Sequence, residues 1–272
     1  MLLDAIRNIV PIKYRQSFGL WTAHQASRSM ITLYPYLFML CGDVPKNLKL
    51  LPNDDCCVTH RGHRIVFPRD GIFTSWEVLQ DEIYEKVGRP RTGNTVIDIG
   101  AYTGMFTVKA ALQVGDTGRV IAIEPSTRNR KYLYHNTANL LQVTTVPVAL
   151  GLEKGNGELT VSVASPCHTL QHRSNSLTET VKLDTLDNVI SDMQIKKVNF
   201  IKIDAEGSEL DILKGSTRTL TNNRLRLSIA AYHNLGNGEK ELPHILEFLG
   251  SLKFHVTVIK DYVYAHNLWR KE

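Results

Sequence analysis

Asp204, Glu206 and Glu209 follow directly on the apolar run "VNFIKI" (198–203). Carboxylates placed this way can take up a proton, orient an imidazole or bind a hard cation. An imidazole is available at His233, which closes a second apolar run, "RLRLSIAAYH" (224–233). Its unperturbed pKa near ~6.5 suits proton transfer at neutral pH. Carboxylates in a first helical turn also favour the helix dipole, which makes Glu209 the structural member of the three. Asp204, Glu206 and His233 are suitable ligands for a divalent cation, but their spacing does not demand one, and no metal is assigned. A zinc site at Cys167, His168 and His172 lacks the paired spacings such sites use.

A second set of residues comes earlier, in "DIGAYTG" (98–104). Gly100 and Gly104 let the backbone turn sharply and approach a ligand closely. The following helix offers unpaired N–H groups at its N-terminus, suited to a carboxylate or phosphate. The spacing is G-x-x-x-G, which is neither the dinucleotide fingerprint nor a P-loop. Glu124 ends the next apolar run, where an acidic residue in open α/β sheets grips ribose hydroxyls.

These residues need elements to position them. After "GRPRTGN" (88–94) strand and helix signals alternate, as in an α/β domain with a mostly parallel sheet. "TVIDIG" (95–100), "RVIAIE" (119–124), "VTTVPVAL" (143–150), "VNFIKID" (198–204) and the run 224–233 read as five core strands. "FHVTVIKDYVYAH" (254–266) reads as two more, joined at Lys260 and Asp261. Helices are expected over 105–114, 127–141, 183–193 and 241–252. "GELTVSV" (157–163) and "HRGHRIVFP" (60–68) read as exposed hairpin strands. In such a sheet ligands gather outside the carboxyl ends of the strands, and Asp98, Glu124, Asp204 and His233 all fall there.

"VIDIGAYTGMFT" (96–107) followed by "VIAIEPS" (120–126) resembles the cofactor site of class I methyltransferases that use S-adenosylmethionine. That resemblance implies a Rossmann-like, seven-stranded, mostly parallel sheet flanked by helices. It places the loop Gly100, Ala101, Tyr102 and Gly104 against the methionine part, Asp98 near its amino group and Glu124 on the ribose. Pro125 and Ala149 complete the implied contacts. "VNFIKIDAEGSELDILKG" (198–215), with "VKLDTLDNV" (181–189) and "AAYH" (230–233), narrows the resemblance to the FkbM-family methyltransferases. Many members methylate hydroxyls of sugars or natural products. Tyr102 stands where the family more often has Asn. On this reading His233 is the base on an acceptor hydroxyl, held by Asp204, with Glu206 able to serve in either role. The expected activity is O-methylation of a carbohydrate or glycosylated metabolite. The alternatives are another small-molecule or nitrogen acceptor, or a cofactor-fold binding protein without catalysis. "DAEG" (204–207) stands where base-flipping amino-methylases carry an N-P-P-Y-like tetrapeptide, which argues against that group.

The bulk properties fit. The chain has 272 residues, 43% hydrophobic and 22% charged, enough for a sizeable core. A net charge of +5 with scattered basic residues gives no case for nucleic acid. The cysteines, Cys41, Cys56, Cys57 and Cys167, form no metal-type pair and suit a reducing cytoplasm. Asp4 and Arg7 break any signal-peptide pattern. The run "MITLYPYLFML" (30–40) is interrupted by Pro35 and shorter than the ~20 residues a spanning helix needs. We expect a methyltransferase domain over 77–272, with residues 1–76 as an extension forming a cap or a homodimer surface.

Overall fold

The computed structural model describes residues 45, 47–161, 177–235 and 237–268. The apolar run 30–40 and the Cys167, His168, His172 set lie outside them. The chain opens with β1 (Lys49–Leu50), β2 (Asp55–His60) and β3 (His63–Pro68), a three-stranded antiparallel sheet. Helix α1 (Ile72–Leu79) and a 3-10 turn (Ile83–Glu85) follow. Then come β4 (Thr95–Ile99), α2 (Met105–Val114), β5 (Arg119–Ile123), α3 (Thr127–Thr137) and β6 (Val143–Val146). A side sheet is built from β7 (Ala149–Leu150), β8 (Gly155–Val161) and β9 (Leu177–Asp184). The chain continues with α4 (Leu186–Asp192), β10 (Phe200–Ile203), α5 (Glu209–Lys214), α6 (Thr217–Asn222) and β11 (Arg226–Ala230). It closes with α7 (Leu242–Ser251), β12 (His255–Ile259) and β13 (Tyr262–His266).

The seven-stranded sheet has the order β12-β13-β11-β10-β4-β5-β6. Strands β6, β5, β4, β10 and β11 are parallel, and β13 alone runs against its neighbours, inserted between β11 and β12. β4 and β10 lie at its centre, covered on both faces. That burial explains why Val96, Ile97, Ile99, Phe200, Ile201 and Ile203 form near-continuous apolar runs rather than alternating ones. One face packs against α1 and α2, through Ile72, Val78, Phe106 and Val108. The other face packs against α4, α5 and α7, through Leu186, Ile212, Ile245 and Leu249.

Two expectations change. The strand expected over 143–150 divides at Pro147, which has no N–H to give a ladder; β6 stays in the main sheet and β7 joins the side sheet. The hairpin around His60 exists, but its second strand is not exposed. Ile65 and Phe67 are fully buried in the core shared with α1 and β4. Val66 faces the other way, under α3. Asn136 of α3 accepts a hydrogen bond from the Val66 N–H (2.8 Å) and donates to the carbonyls of Val66 (2.7 Å) and Thr103 (2.8 Å).

Candidate active site

Asp98 and Lys202 stand side by side in the β4–β10 register. A lysine inside a buried strand must find compensation. Its ammonium lies 3.2 Å from Asp98 Oδ1 and donates to the carbonyls of Ile99 (3.1 Å) and Gly100 (2.7 Å). The Thr107 hydroxyl donates to Asp98 Oδ2 at 2.6 Å. Asp98 is fully buried behind the glycine loop. It acts on the loop through Lys202, which sequence reading passed over.

The loop itself is tight. Gly100 has φ +71°, and a Cβ there would meet the Asp204 carbonyl oxygen at 1.8 Å. The loop after β4 and the end of β10 thus touch backbone to backbone. Gly104 (φ +86°) packs under Leu133 of α3, where a Cβ would sit 2.7 Å from a methyl. Tyr102 also holds a left-handed φ of +52° and donates its N–H to Glu124 Oε2 at 2.8 Å. Glu124 Oε1 accepts from the N–H of Ser126 at 2.9 Å and from the Asn129 amide at 3.3 Å. Burial pushes the Glu124 carboxyl up to about 7, against the pull of those donors. Both of its oxygens are engaged in tying the two strand-end loops together. Ala101 is buried against Ala122 and Leu133, Pro125 is half-buried, and Ala149 packs away from the loop against Leu159 and Val181. The loop, Glu124 and Pro125 thus come together; Ala149 does not join them through its side chain.

At the end of β10 the chain turns through Glu206 and Gly207, both at positive φ (+54° and +95°). Glu209 bends back from the start of α5 and accepts from the N–H of Ala205 (2.7 Å) and Gly207 (2.9 Å). It fixes the turn that presents Asp204 and Glu206. Three residues past β11, His233 enters this turn. Its Nδ1 lies 3.0 Å from Glu209 Oε1, and its Nε2 lies 3.5 Å from Glu206 and 4.0 Å from Asp204. Burial works against a charged ring here, but Glu209, Glu206 and Asp204 outweigh it and push His233 up to about 10. The imidazole expected to titrate near neutrality is a cation there. Fully buried Glu241 accepts from the Leu210 N–H at 2.6 Å. Its own burial and the neighbouring Glu209 keep it protonated well above the usual carboxylate range.

Tyr84, from the 3-10 turn, donates its hydroxyl to Asp204 Oδ2 at 2.5 Å. Its ring lies under the Lys202 ammonium, 5.2 Å from Nζ to centroid. No sequence periodicity marked it, because a 3-10 turn of three residues is too short to show one. Asp204, Glu209 and His233 offer ligand atoms within 4.8 Å of one another, the only such group among the described residues. If a divalent cation were held, these atoms would hold it, with Glu209 taking the place of Glu206 in the set read from sequence.

The strand order, with its single antiparallel strand next to the edge, is that of a class I methyltransferase. The methyltransferase FkbM domain matches residues 98–256, more than half of the chain, and the protein belongs to that family. The matched segment is a methyltransferase domain, of the class whose cofactor is S-adenosylmethionine. The chain is 28% identical over 145 residues to the hexuronic acid methyltransferase AglP of Haloferax volcanii, covering 53% of this chain and 54% of that protein. It therefore spans about half the length of that curated relative. Among solved structures, the methyltransferase FkbM from Methylobacillus flagellatus is 20% identical with a TM-score of 0.46, over 72% of this chain and 54% of that one. The fibrillarin of Aeropyrum pernix with bound S-adenosyl-L-methionine is 10% identical with a TM-score of 0.45, over 82% and 85%. No helix among the described residues is long and apolar enough to cross a membrane.

Proposed function

We propose that the protein transfers a methyl group to a hydroxyl of a carbohydrate or glycosylated metabolite. The observation that carries this reading is the setting of His233. It is ringed by Asp204, Glu206 and Glu209 within 4.0 Å, on an edge in backbone contact with the glycine loop. A sugar hydroxyl is weakly acidic and needs a positioned base, typically worth about 10²–10⁴-fold. The similarity to a relative named for hexuronic acid supports a saccharide acceptor.

S-adenosylmethionine, when bound, supplies an electrophilic methyl group on a sulfonium centre. The strained loop 100–104 fits a ligand that needs close backbone approach, with Gly100 and Tyr102 both at positive φ. Glu124 and Lys202 hold that loop in shape from either side, and the remaining lone pairs of Glu124 suit a ribose hydroxyl. His233 takes the hydroxyl proton after its resting proton has left. A second positive charge bound at this edge favours that loss. Asp204, fixed by Tyr84, and Glu206 orient the ring and the acceptor.

The test is turnover with an isotope-labelled methyl donor and a panel of methyl glycosides and uronides, read by NMR of the product. A new methyl ether on a saccharide oxygen is expected. Transfer to nitrogen or carbon, a methyl ester, or no transfer at all would sink the proposal.

A further inference from the structure

Glu77 lies on α1, outside the residues that match the family, and has no place in the chemistry above. Its neighbours make it unusual. The Tyr262 hydroxyl donates to its Oε1 at 3.4 Å, and the Tyr232 hydroxyl bonds that of Tyr262. The Tyr232 ring lies 4.2 Å from the His233 imidazole. On the other side Tyr84 packs edge-on to Tyr262 at 5.8 Å and bonds Asp204. Glu77 is thus linked to the reactive edge by two tyrosine contacts, one ending on His233 and one on Asp204.

A carboxyl taken this far out of water normally meets a cation. Glu85, six residues beyond α1, does so, since it holds the Lys109 ammonium. The charges that act on Glu77 are Asp204 and Asp81, both negative, and no basic side chain among the described residues pairs with it. Burial, then those two acids, push it up to about 8, so it carries a proton at neutral pH and can donate a hydrogen bond. It is also not sealed off, since the residue is only half-buried. A partly exposed carboxyl with no cation, held by a tyrosine hydroxyl alone and joined through tyrosines to His233 and Asp204, has the profile of a ligand-contacting residue.

We infer that Glu77 is a binding residue for the acceptor, donating a hydrogen bond to an oxygen of a polyhydroxylated ring while His233 attends to the hydroxyl that is methylated. The neighbouring tyrosine hydroxyls of Tyr232 and Tyr262 extend that polar wall. This assignment rests on the hydroxyl-acceptor reading.

The test uses Glu77→Leu and Glu77→Gln in the full chain, with methyl glycosides as acceptors. Glu77→Leu is expected to raise KM for the acceptor at least tenfold, with cofactor affinity unchanged. Glu77→Gln, which keeps a donor, is expected to stay near the parent. Glu77→Leu is also expected to raise Tm by a few degrees, because it removes a desolvated carboxyl that lacks a cation. A structural residue would behave in the opposite way. A fall in Tm with Leu, or an unchanged KM, overturns the assignment. If the parent methylates no glycoside, the hydroxyl reading fails on its own account; Tm then decides whether Glu77 is structural.

Discussion

Lys109 and His233 each sit among buried carboxylates, yet the charge around them is balanced differently. Lys109 on α2 is 1% exposed and pairs with equally buried Glu85, with Glu82 at 3.1 Å at the rim and the Val78 carbonyl accepting at 3.0 Å. One ammonium meets one buried carboxylate, and α1, the 3-10 turn and α2 are fastened together. Around His233 the count is uneven. Asp204, Glu206, Glu209 and Glu241 share a single imidazole, and the cluster depends on protons held by Glu241 and His233. A balanced cluster serves the scaffold. An unbalanced one holds protons at the edge where a positive ligand and a proton transfer are expected.

Breaking each cluster should give different losses. His233→Ala is expected to lower kcat by about 10²–10⁴ with little change in cofactor affinity. Near-full turnover in this variant, with Glu206→Ala or Asp204→Ala inactive, would pass the base role to a carboxylate. Lys109→Met leaves Glu85 buried without a cation. It should cost about 3–5 kcal/mol in urea unfolding while sparing turnover of the folded fraction. A loss under 1 kcal/mol would show the pair to be dispensable. Glu124→Ala releases the N–H groups of Tyr102 and Ser126 and should weaken S-adenosylmethionine binding by about 1–3 kcal/mol in calorimetry.

The pH dependence sharpens the contrast. His233 is raised in the folded state, so its contribution to stability is fully present below its unfolded value near 6.5 and fades as pH rises toward about 10. Stability should fall over that window in the parent and fall less in His233→Gln. Activity that requires the neutral ring should rise with pH beyond 8, above the 6–8 window that an unperturbed histidine suggests. The smallest effect is expected from EDTA, which should leave turnover unchanged. Loss restored by magnesium would turn Asp204, Glu209 and His233 into a coordination site.

Most of the parallel sheet was legible in the sequence because buried central strands must be apolar runs, and the glycine loop and acidic strand ends stood out against them. The strand ends also gave Asp98, Glu124, Asp204 and His233 their places at one edge. What the sequence hid was pairing across the fold. Lys202 in "FIKID" was a visible anomaly, a charge inside a core strand. Its partner Asp98 emerges only when β4 and β10 are set side by side in register. Tyr84 and Glu77 come from a short turn and a short helix at the very start of the domain expected at 77–272, where no periodicity pointed to the reacting edge. The pKa of His233 was misjudged for the same reason. Glu209 read as a first-turn acid favouring the helix dipole, and only the folded turn brings it within 3.0 Å of the ring.

The amide of Asn136 has a consequence for how the protein behaves in a crowded solution. β3 is the outer strand of the first sheet, and an outer strand with open N–H and C=O groups invites pairing with another chain. Asn136 occupies both groups of Val66 from the flank of α3. It acts as a one-residue surrogate strand that ends the sheet. Removing it by Asn136→Ala would leave a buried-type segment, "RIVF" (64–67), with a bare edge, the starting point for intermolecular β-association rather than for a change in catalysis.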